Sequence, residues 1–459
     1  MSRPLSRAGV AGWVLFDFAA QPVFTLVTTF IFAPFFAARL AADPVQGQAL
    51  WGFATGAAGI AIALFSPVLG AIADAAGGRK PWIAFFSLLL VGGCTALWWA
   101  VPGSGGAVAL ALFGFFVATV GAEFATVFTN AMMPDLAPPE RLGRLSGTGW
   151  AVGYVGGLLS LALMLVFFVA DPNSGHTLAG LAPVFGLDPT TGGGDRISGP
   201  FSALWYVVFV APLFLWTPDV PRKLPLGQAA RRGLSQLKAT IRGLSRAPRL
   251  ARYLLAHMVY VDALVALFAF GGLYATGIFG WSTVEIGAFG ILLTVAGTAG
   301  AFLGGVLDDR FGPKLVVMTA LAILLVAAIG ILSLSTDRAL FVIPLTPPQP
   351  GGGLFSATGE RLYLAFGLVI GSVAGALQAA SRTLLVRLAA PAQMTEAFGL
   401  YALSGKMTSF LCPLAVGALT AWSGSQRVGM SVLVLFFAAG AALLAPLRMD
   451  GERRSSVDA

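Results

Sequence analysis

The feature that most constrains this chain is a succession of apolar segments about 20 residues long, separated by short polar loops. A helix of that length spans the hydrocarbon layer of a bilayer. Only 10% of the residues are charged, too few to cover the surface of a soluble fold. We therefore predict an all-α polytopic membrane protein with twelve transmembrane helices at 11–38, 50–73, 81–101, 106–130, 147–169, 201–217, 251–279, 284–307, 314–335, 361–388, 397–422 and 427–447.

The basic residues indicate the orientation of these spans. If both termini are cytoplasmic, 22 of the 28 Lys and Arg residues fall on the cytoplasmic side and five on the other. This bias follows the positive-inside rule. We expect a multi-pass, monomeric protein of the bacterial cytoplasmic (inner) membrane, whose basic loops face an anionic inner leaflet. The net charge of +8 thus faces lipid, and nucleic acid is not an expected partner.

An internal repeat predicts two halves. The loop after span two reads GAIADAAGGRK, and the loop after span eight reads GVLDDRFGPKL. The pattern predicts two six-helix halves in parallel orientation at 1–217 and 251–447, with a basic linker at 218–250 and a cytoplasmic tail at 448–459. The linker suits either an amphipathic helix on the inner leaflet or a solvated connection. The loops at 170–200 and 336–360, rich in Gly, Pro and Thr, are expected to be irregular.

The repeated loop resembles the signature of the major facilitator superfamily. The stretches NAMMPDLAPPERLGRLSGTGWAVGYVGG, GALQAASRTLLVRL and AFGLYALSGKMTSFLCPLAVGAL resemble its vacuole-effluxer-like branch, also called the Unknown Major Facilitator family. The resemblance covers the whole chain. It implies the major facilitator fold, secondary transport of a small solute by alternating access, and a central cavity lined by spans 1, 4, 7 and 10.

Polar side chains interrupt those cavity-lining spans. An intramembrane charge is expected to face the bundle interior or a water-filled cavity, because exposure to lipid is costly. The candidates for substrate binding or proton coupling are Asp17, Gln21, Glu123, Asn130, Asp262, Gln378, Arg382 and, in span 11, Lys406. In one interpretation the carboxylates take up a proton or a cationic group, while Arg382 or Lys406 holds a carboxylate. In the other, these charges pair with one another to lock a helix interface or a gate.

Three further features have simpler interpretations. The repeated loops are predicted to act as gates and not to bind substrate, through Gly70, Asp74, Gly77, Arg79, Gly305, Asp309, Arg310, Gly312 and Lys314. Gly149, Gly153 and Gly157 suit close helix packing better than a space for substrate. His257 is interpreted as a buried core histidine, because about 140° of helix rotation separates it from Asp262.

No motif for catalysis or for a cofactor accompanies these features. The sequence contains no Walker A loop, H-E-x-x-H, G-x-S-x-G or dinucleotide fingerprint. We therefore expect neither an enzyme nor a bound metal or cofactor. The leading hypothesis is a proton- or gradient-coupled secondary transporter for a small organic solute, such as an amino acid. The alternatives are a membrane sensor or assembly partner that transports nothing, and a lipid flippase.

Overall fold

The computed structural model describes most of the 459 residues. It covers 7–136, 142–171, 174–219, 221, 225, 227, 228, 231, 235, 247–346, 353–388, 400, 401, 404, 405 and 407–447. For 66–68, 71–76, 133, 134, 142–144, 146, 147, 302 and 309 it describes the backbone alone. Most of the predicted linker at 218–250, and the tail at 448–459, lie outside the described residues.

Twelve helices of the described chain follow the predicted spans. They are α1 (Arg7–Leu40), α2 (Pro44–Ala76), α3 (Lys80–Ala96), α4 (Ala107–Ala131), α5 (Leu142–Phe167), α6 (Ser198–Trp216), α7 (Pro248–Phe279), α8 (Thr283–Phe311), α9 (Pro313–Leu332), α10 (Thr358–Leu388), α11 (Leu411–Ser423) and α12 (Val432–Leu444). Eleven of the described helices are long and apolar enough to cross a membrane. The shorter α11 has 13 residues, and part of the predicted span at 397–422 falls outside the described residues. The predicted all-helical, multi-pass membrane fold is confirmed.

Helix α1 contains wide turns that apolar periodicity does not predict. It is π-helical over Val23–Phe30 and again over Phe36–Leu40. Pro22, which has no N–H group to donate, stands directly before the first π-helical segment. Inside that segment, the hydroxyls of Thr28 and Thr29 donate to carbonyl oxygens five residues earlier, at 3.2 and 2.9 Å. Such turns occur frequently at functional sites.

The contacts divide the chain into two compact units. Unit 1 comprises the described residues of Met1–Leu237, Phe268–Ile291 and Pro413–Gly429, and unit 2 those of Lys238–Leu267, Leu292–Cys412 and Met430–Ala459. In unit 1, α3 packs on α4 and α6; in unit 2, α9 packs on α10 and α12. The same pairings therefore recur six helices later. The bounds of the two predicted halves stay a prediction, because the compact units are not continuous along the chain.

Aromatic side chains fill the core of unit 1. The Phe86 ring stacks on Phe124 of α4, with ring centroids 4.7 Å apart, and lies 5.7 Å from the Phe128 ring. Phe16 of α1 is fully buried and meets Tyr206 of α6 edge to face. Helices α1, α3, α4 and α6 thus share one apolar core, and this core fixes the position of α1.

The two loops that we expected to be irregular contain some regular structure. After α9, strand β1 (Arg338–Ala339) pairs antiparallel with β2 (Ile343–Pro344). In the earlier loop, a short helix at Gly193–Arg196 leads into α6. Strands of two residues are too short for alternation of apolar and polar residues to reveal them.

Helices α1 and α5 approach each other closely through glycines. A Cβ atom added at Gly156 would lie 2.7 Å from the carbonyl oxygen of Phe18, and one at Gly153 would lie 3.2 Å from Cβ of Asp17. The obstacle at Gly156 is backbone, which cannot move aside as the end of a side chain can. This geometry supports the packing interpretation of the glycine pattern on α5.

We predict that Gly156→Ala destabilises the protein by about 1–3 kcal/mol, because the new methyl group overpacks the contact between α1 and α5. The matched control is Gly92→Ala on α3, where an added Cβ meets nothing within 4 Å. Thermal unfolding in detergent, followed by size-exclusion fluorescence, compares the two variants. Equal melting temperatures would contradict the close contact.

Candidate functional site

The first group of predicted site residues lies on the face of α1 that contacts α5. Asp17, Gln21 and Thr25 follow one another at four-residue spacing, so they share one face of the helix. A Cβ atom added at Gly149 would lie 2.6 Å from Oδ2 of Asp17, and one at Gly157 would lie 2.8 Å from Cγ of Gln21. The glycines therefore leave the space that these polar side chains occupy.

Asp17 is half-buried and forms no hydrogen bond or ion pair with another described residue. One turn earlier, the indole N–H of Trp13 donates to the carbonyl oxygen of Thr129 at 2.7 Å, which ties α1 to the end of α4. A carboxylate partly withdrawn from water, with no cation among the described side chains beside it, is costly in its charged form. Asp17 is therefore suited to accept a proton or a cationic group.

Helix α4 carries two of the predicted site residues. Glu123 is half-buried, and Asn130 is exposed near the end of the helix. They are seven residues apart and so lie on the same side of α4. Between them, the hydroxyl of Thr126 donates to the carbonyl oxygen of Ala122 at 2.8 Å, so it can bind a ligand only as a hydrogen-bond acceptor.

In unit 2, Asp262 of α7 is only 3% exposed, and its Oδ2 atom is buried. Among the described residues, Oδ2 has no hydrogen-bond partner of standard geometry, and the Thr408 hydroxyl and the backbone N–H of Cys412 face this carboxyl group. Lys406, the predicted cation nearby in the sequence, lies outside the described residues. Asp262 is thus a buried carboxylate that no described cation pairs.

Helix α10 places Gln378 and Arg382 half-buried and one turn apart. Ser381, which directly precedes Arg382, is buried and joins α10 to α7. Tyr253 donates its hydroxyl proton to the backbone oxygen of Ser381. The Ser381 hydroxyl donates to the carbonyl oxygen of Leu377, so Tyr260, 2.7 Å away, must donate to Ser381.

His257 is buried, as we expected of a core histidine, and its Nδ1 lies 3.0 Å from the hydroxyl oxygen of Ser404. That hydroxyl donates to the carbonyl oxygen of Tyr401 at 2.8 Å, so Nδ1 must carry the proton that His257 shares with Ser404. The His257 ring also lies 4.1 Å from the Tyr401 ring. The tyrosines and Ser404 of this group were not predicted; the spacing of Tyr253 and Tyr260, seven residues apart on α7, is the available signal.

The loop between α2 and α3 is held by two aspartates. Arg79 forms an ion pair with Asp135, which follows α4. Asp219, just beyond α6, accepts hydrogen bonds from the backbone N–H groups of Arg79 and Lys80, at 2.8 and 3.2 Å. The ammonium group of Lys80 donates to the carbonyl oxygen of Phe214 at 2.8 Å. Neither aspartate was predicted, although both stand in polar segments on the same side as the loop.

The two repeated loops share their glycine geometry. Gly77 and Gly312 both have positive φ, at 68° and 83°, a conformation that favours glycine. Their other contacts differ: the Arg310 guanidinium lies 5.4 Å from the centroid of the Phe311 ring. Asp308, next to the predicted Asp309, is 4% exposed and its Oδ1 has no partner among the described residues. The side chains of Asp74 and Asp309 lie outside the described part of the structure.

The remaining members of the predicted gating set are less informative. An added Cβ at Gly70 or Gly305 would meet no described atom within 4 Å, so packing does not require glycine at either position. Helix α9 begins with Pro313 and Lys314, and helix α3 begins with the same two residue types in the opposite order, Lys80 and Pro81.

Within unit 1, the start of α2 meets the last turns of α7 and α11. This is the opposite end of unit 1 from the N-terminus. The amide nitrogen of Gln48, fully buried on α2, donates to the Thr420 hydroxyl at 2.8 Å and to the Gln426 carbonyl oxygen at 3.2 Å. The Gln426 amide nitrogen donates to the carbonyl oxygen of Pro44 at 3.0 Å. On α7, Gly277 packs directly against the Gln426 amide. This end of unit 1 is closed by buried amides.

Glycines bring α2 and α11 together just inside those amides. A Cβ atom added at Gly52 would lie 2.8 Å from Cα of Gly417. One added at Gly417 would lie 3.0 Å from the carbonyl oxygen of Ala49. The two backbones are therefore in direct contact, and no side chain separates them.

The described residues contain no group of three or more His, Cys, Asp or Glu side chains placed to hold a metal ion. Cys94 and Cys412 are both buried, free thiols. The predicted site residues that the structure describes therefore offer carboxylates, amides and the Arg382 guanidinium, and hydroxyls and the His257 imidazole lie beside them.

Comparison with known proteins decides the family. Residues 49–457 match the family model described as vacuole effluxer Atg22 like. The chain belongs to this family. It is 23% identical over 443 residues to an uncharacterized MFS-type transporter, YxiO, of Bacillus subtilis, covering 94% of this chain and 93% of that protein. The predicted family is confirmed.

Fungal members of the family are longer. Autophagy-related protein 22 of Cryptococcus neoformans is 26% identical over 333 residues, which cover 69% of this chain and 54% of the fungal protein. The chain therefore spans about half the length of that relative.

Solved structures show the fold. The inward-facing, unoccupied structure of a bacterial homologue of the human lysosomal transporter Spinster matches with a TM-score of 0.62 at 16% identity, covering 96% of this chain and 95% of the other. The inward-open xylose transporter XylE of E. coli matches with a TM-score of 0.61 at 12% identity, covering 96% and 94%. The effluxer-like chain has the major facilitator fold, as predicted.

We predict that Asp219→Ala costs about 2 kcal/mol of stability, because it leaves two backbone N–H groups at the start of α3 without an acceptor. The matched variant Asp135→Ala removes a carboxylate whose side chain is 50% exposed, and it is expected to cost at most about 1 kcal/mol. Chemical denaturation of both purified variants gives the comparison. A greater loss from Asp135→Ala would contradict the capping role of Asp219.

We predict that Gly52→Leu forces α2 and α11 apart at the closed end, because a leucine has no room against the Gly417 backbone. Spin labels at positions 43 and 422 report the separation by double electron–electron resonance; Trp422 is 82% exposed, so a label fits there. The distance distribution should shift to longer values and broaden. Gly92→Leu is the control, and an identical distribution in both variants would argue against a glycine-dependent closure.

Proposed function

We propose that this chain is a secondary transporter that moves a small organic solute by alternating access, driven by a proton or another ion gradient. The observation that carries the proposal is Asp17, a half-buried intramembrane carboxylate that no described residue pairs. An unpaired carboxylate inside a membrane span is costly unless it binds something during the working cycle. The names of the relatives, an MFS-type transporter and vacuole effluxers, support the same function.

The interpretation in which the charges only lock helix interfaces is weaker for Asp17 and Asp262. Each is withdrawn from water, and neither forms an ion pair within the described residues. A locking role would require a cation at hydrogen-bond distance, as Asp135 has in Arg79. We therefore assign proton uptake or cation binding to Asp17 and Asp262, and structural pairing to the loop charges.

The charges also favour a class of solute. Carboxylates on α1 and α7 suit an ammonium group, and Arg382 on α10 suits a carboxylate. In the major facilitator fold these helices line the transport path. A zwitterion such as an amino acid carries both an ammonium group and a carboxylate. We therefore propose an amino acid as the class of solute.

The closed end of unit 1 fits an alternating-access cycle. The buried amides of Gln48 and Gln426 are held by individually modest hydrogen bonds, each of which contributes about 1 kcal/mol. Closure of this kind can be broken without unfolding a helix. From the distribution of basic residues, we propose that this end faces away from the cytoplasm, in a monomer of a bacterial inner membrane whose termini are cytoplasmic.

We predict that Asp17→Asn abolishes gradient-driven uptake while leaving exchange of solute across the membrane measurable, because the amide cannot carry a proton but retains hydrogen-bonding capacity. Proteoliposomes with and without an imposed pH gradient, offered a panel of amino acids and dipeptides, give the measurement. The loss of gradient-driven uptake should exceed tenfold, equivalent to about 1.4 kcal/mol.

Asp337→Asn is the matched control, since Asp337 is an exposed loop carboxylate with 62% of its side chain accessible. It should transport like the unmodified protein. If the unmodified protein moves no solute of the panel under either gradient, the transport proposal fails. If it does move a solute and Asp17→Asn is unaffected, the assignment of Asp17 alone fails.

A further inference from the structure

An apolar hairpin follows the last residue of α9, Leu332. It comprises residues 333–345, and its tip reads LFVI. All four tip side chains are exposed: Leu340 by 56%, Phe341 by 52%, Val342 by 76% and Ile343 by 48%. Scattered exposed apolar residues are ordinary, but four consecutive ones in a loop mark an interaction surface.

The hairpin is held in place by its own hydrogen bonds. The backbone N–H of Phe341 donates to the carbonyl oxygen of Ser333 at 3.2 Å, and Leu345 donates to Asp337 at 2.7 Å. At the base, the Ser335 hydroxyl donates to the Asp337 carboxylate at 2.9 Å. The tip is therefore presented by an ordered backbone that is anchored directly to the end of α9.

The turn at the tip is unusual in its residue types. Val342 donates to the carbonyl oxygen of Ala339 at 3.2 Å, which closes a turn whose central residues are Leu340 and Phe341. Both have positive φ, at 47° and 65°. Turns of this kind favour Asn and Gly, because side chains with a Cβ are strained there. Large apolar residues in strained, exposed positions indicate that the tip gains stability from something that covers it.

The position of the hairpin indicates what covers it. Helix α9 ends at Leu332, so the hairpin starts where the span leaves the hydrocarbon layer. Along α9, Ile323, Val326 and Ile329 are exposed, as on a helix that faces lipid. The apolar tip follows the end of this helix by only eight to eleven residues, so it lies close to the membrane surface at which α9 ends.

The charges of the hairpin lie at its base. Asp337 and Arg338 pair with each other at 3.5 Å, and their side chains are 62% and 63% exposed. An apolar tip with a charged base is the distribution that places a segment at the boundary between headgroups and acyl chains. Because the two charges cancel, this surface has no net attraction for anionic headgroups.

We propose that residues 340–343 insert into the bilayer at the boundary between headgroups and acyl chains, in the leaflet at which α9 ends. The lipid is recognised by its hydrocarbon and not by its headgroup. The hairpin thereby anchors the end of α9 at a fixed depth.

Site-directed spin labelling tests this insertion in the full chain in phosphatidylcholine nanodiscs. A nitroxide at Val342→Cys should be reached several times more readily by oxygen than by a water-soluble nickel chelate. The matched control is Thr336→Cys, also exposed in the hairpin but at its polar base, where the nickel chelate should dominate. The native Cys94 and Cys412 are both buried, so labelling is confined to the new site.

Three outcomes decide the proposal. Equal accessibility ratios at 342 and 336 would place the tip in water and overturn it. Strong dipolar broadening between labels on separate copies, relieved by diluting with unlabelled protein, would show that a second chain covers the tip, and would also overturn it. A ratio at 342 that is unchanged when phosphatidylglycerol replaces part of the phosphatidylcholine supports insertion driven by hydrocarbon. A label at Phe341→Cys provides the same measurement if the Val342→Cys variant does not fold.

Discussion

Helices α1 and α5 touch through glycines, and the place of the unpaired carboxylate follows from that contact. Because Gly149, Gly153 and Gly157 have no side chains, Asp17 and Gln21 can project from α1 without being pushed out of the interface. The aromatic core behind α1 holds the helix in this position. A membrane offers a carboxylate without a cationic partner few ways to lower its energy, and this is the physical basis for the proposed binding of a proton or a cation at Asp17.

The two ends of unit 1 are held together by different kinds of interaction. Near the termini, Arg79, Asp135 and Asp219 connect charges and backbone N–H groups, in surroundings that are half-buried or exposed. At the other end, Gln48 and Gln426 are neutral amides, buried where glycines bring the backbones together. The hydrogen bonds and the ion pair in both sets are individually weak enough to break and re-form during a conformational cycle. Interfaces that can break and re-form are what the proposed alternating-access cycle requires.

Most of the architecture could be predicted because the hydrocarbon layer imposes a length and a composition on each span. The positions of α1 to α10 and of α12 follow the apolar segments, and Gly77 and Gly312 have the backbone conformation that their repeated loops suggest. The partners could not be predicted in the same way. Asp219 reaches the start of α3 from 139 residues away in the chain, and no local pattern reports a contact of that range.

The sequence by itself determined that the chain crosses a membrane many times, that it repeats after six spans, and which few polar residues lie within the spans. These are consequences of hydrophobic length and of the cost of burying charge, both of which act locally along the chain. Only the tertiary structure decided which polar residues are paired. It gave Asp17 no partner among the described residues, gave Arg79 the carboxylate of Asp135, and joined Gln48 to Thr420. Pairing of this kind depends on how helices distant in sequence pack against one another.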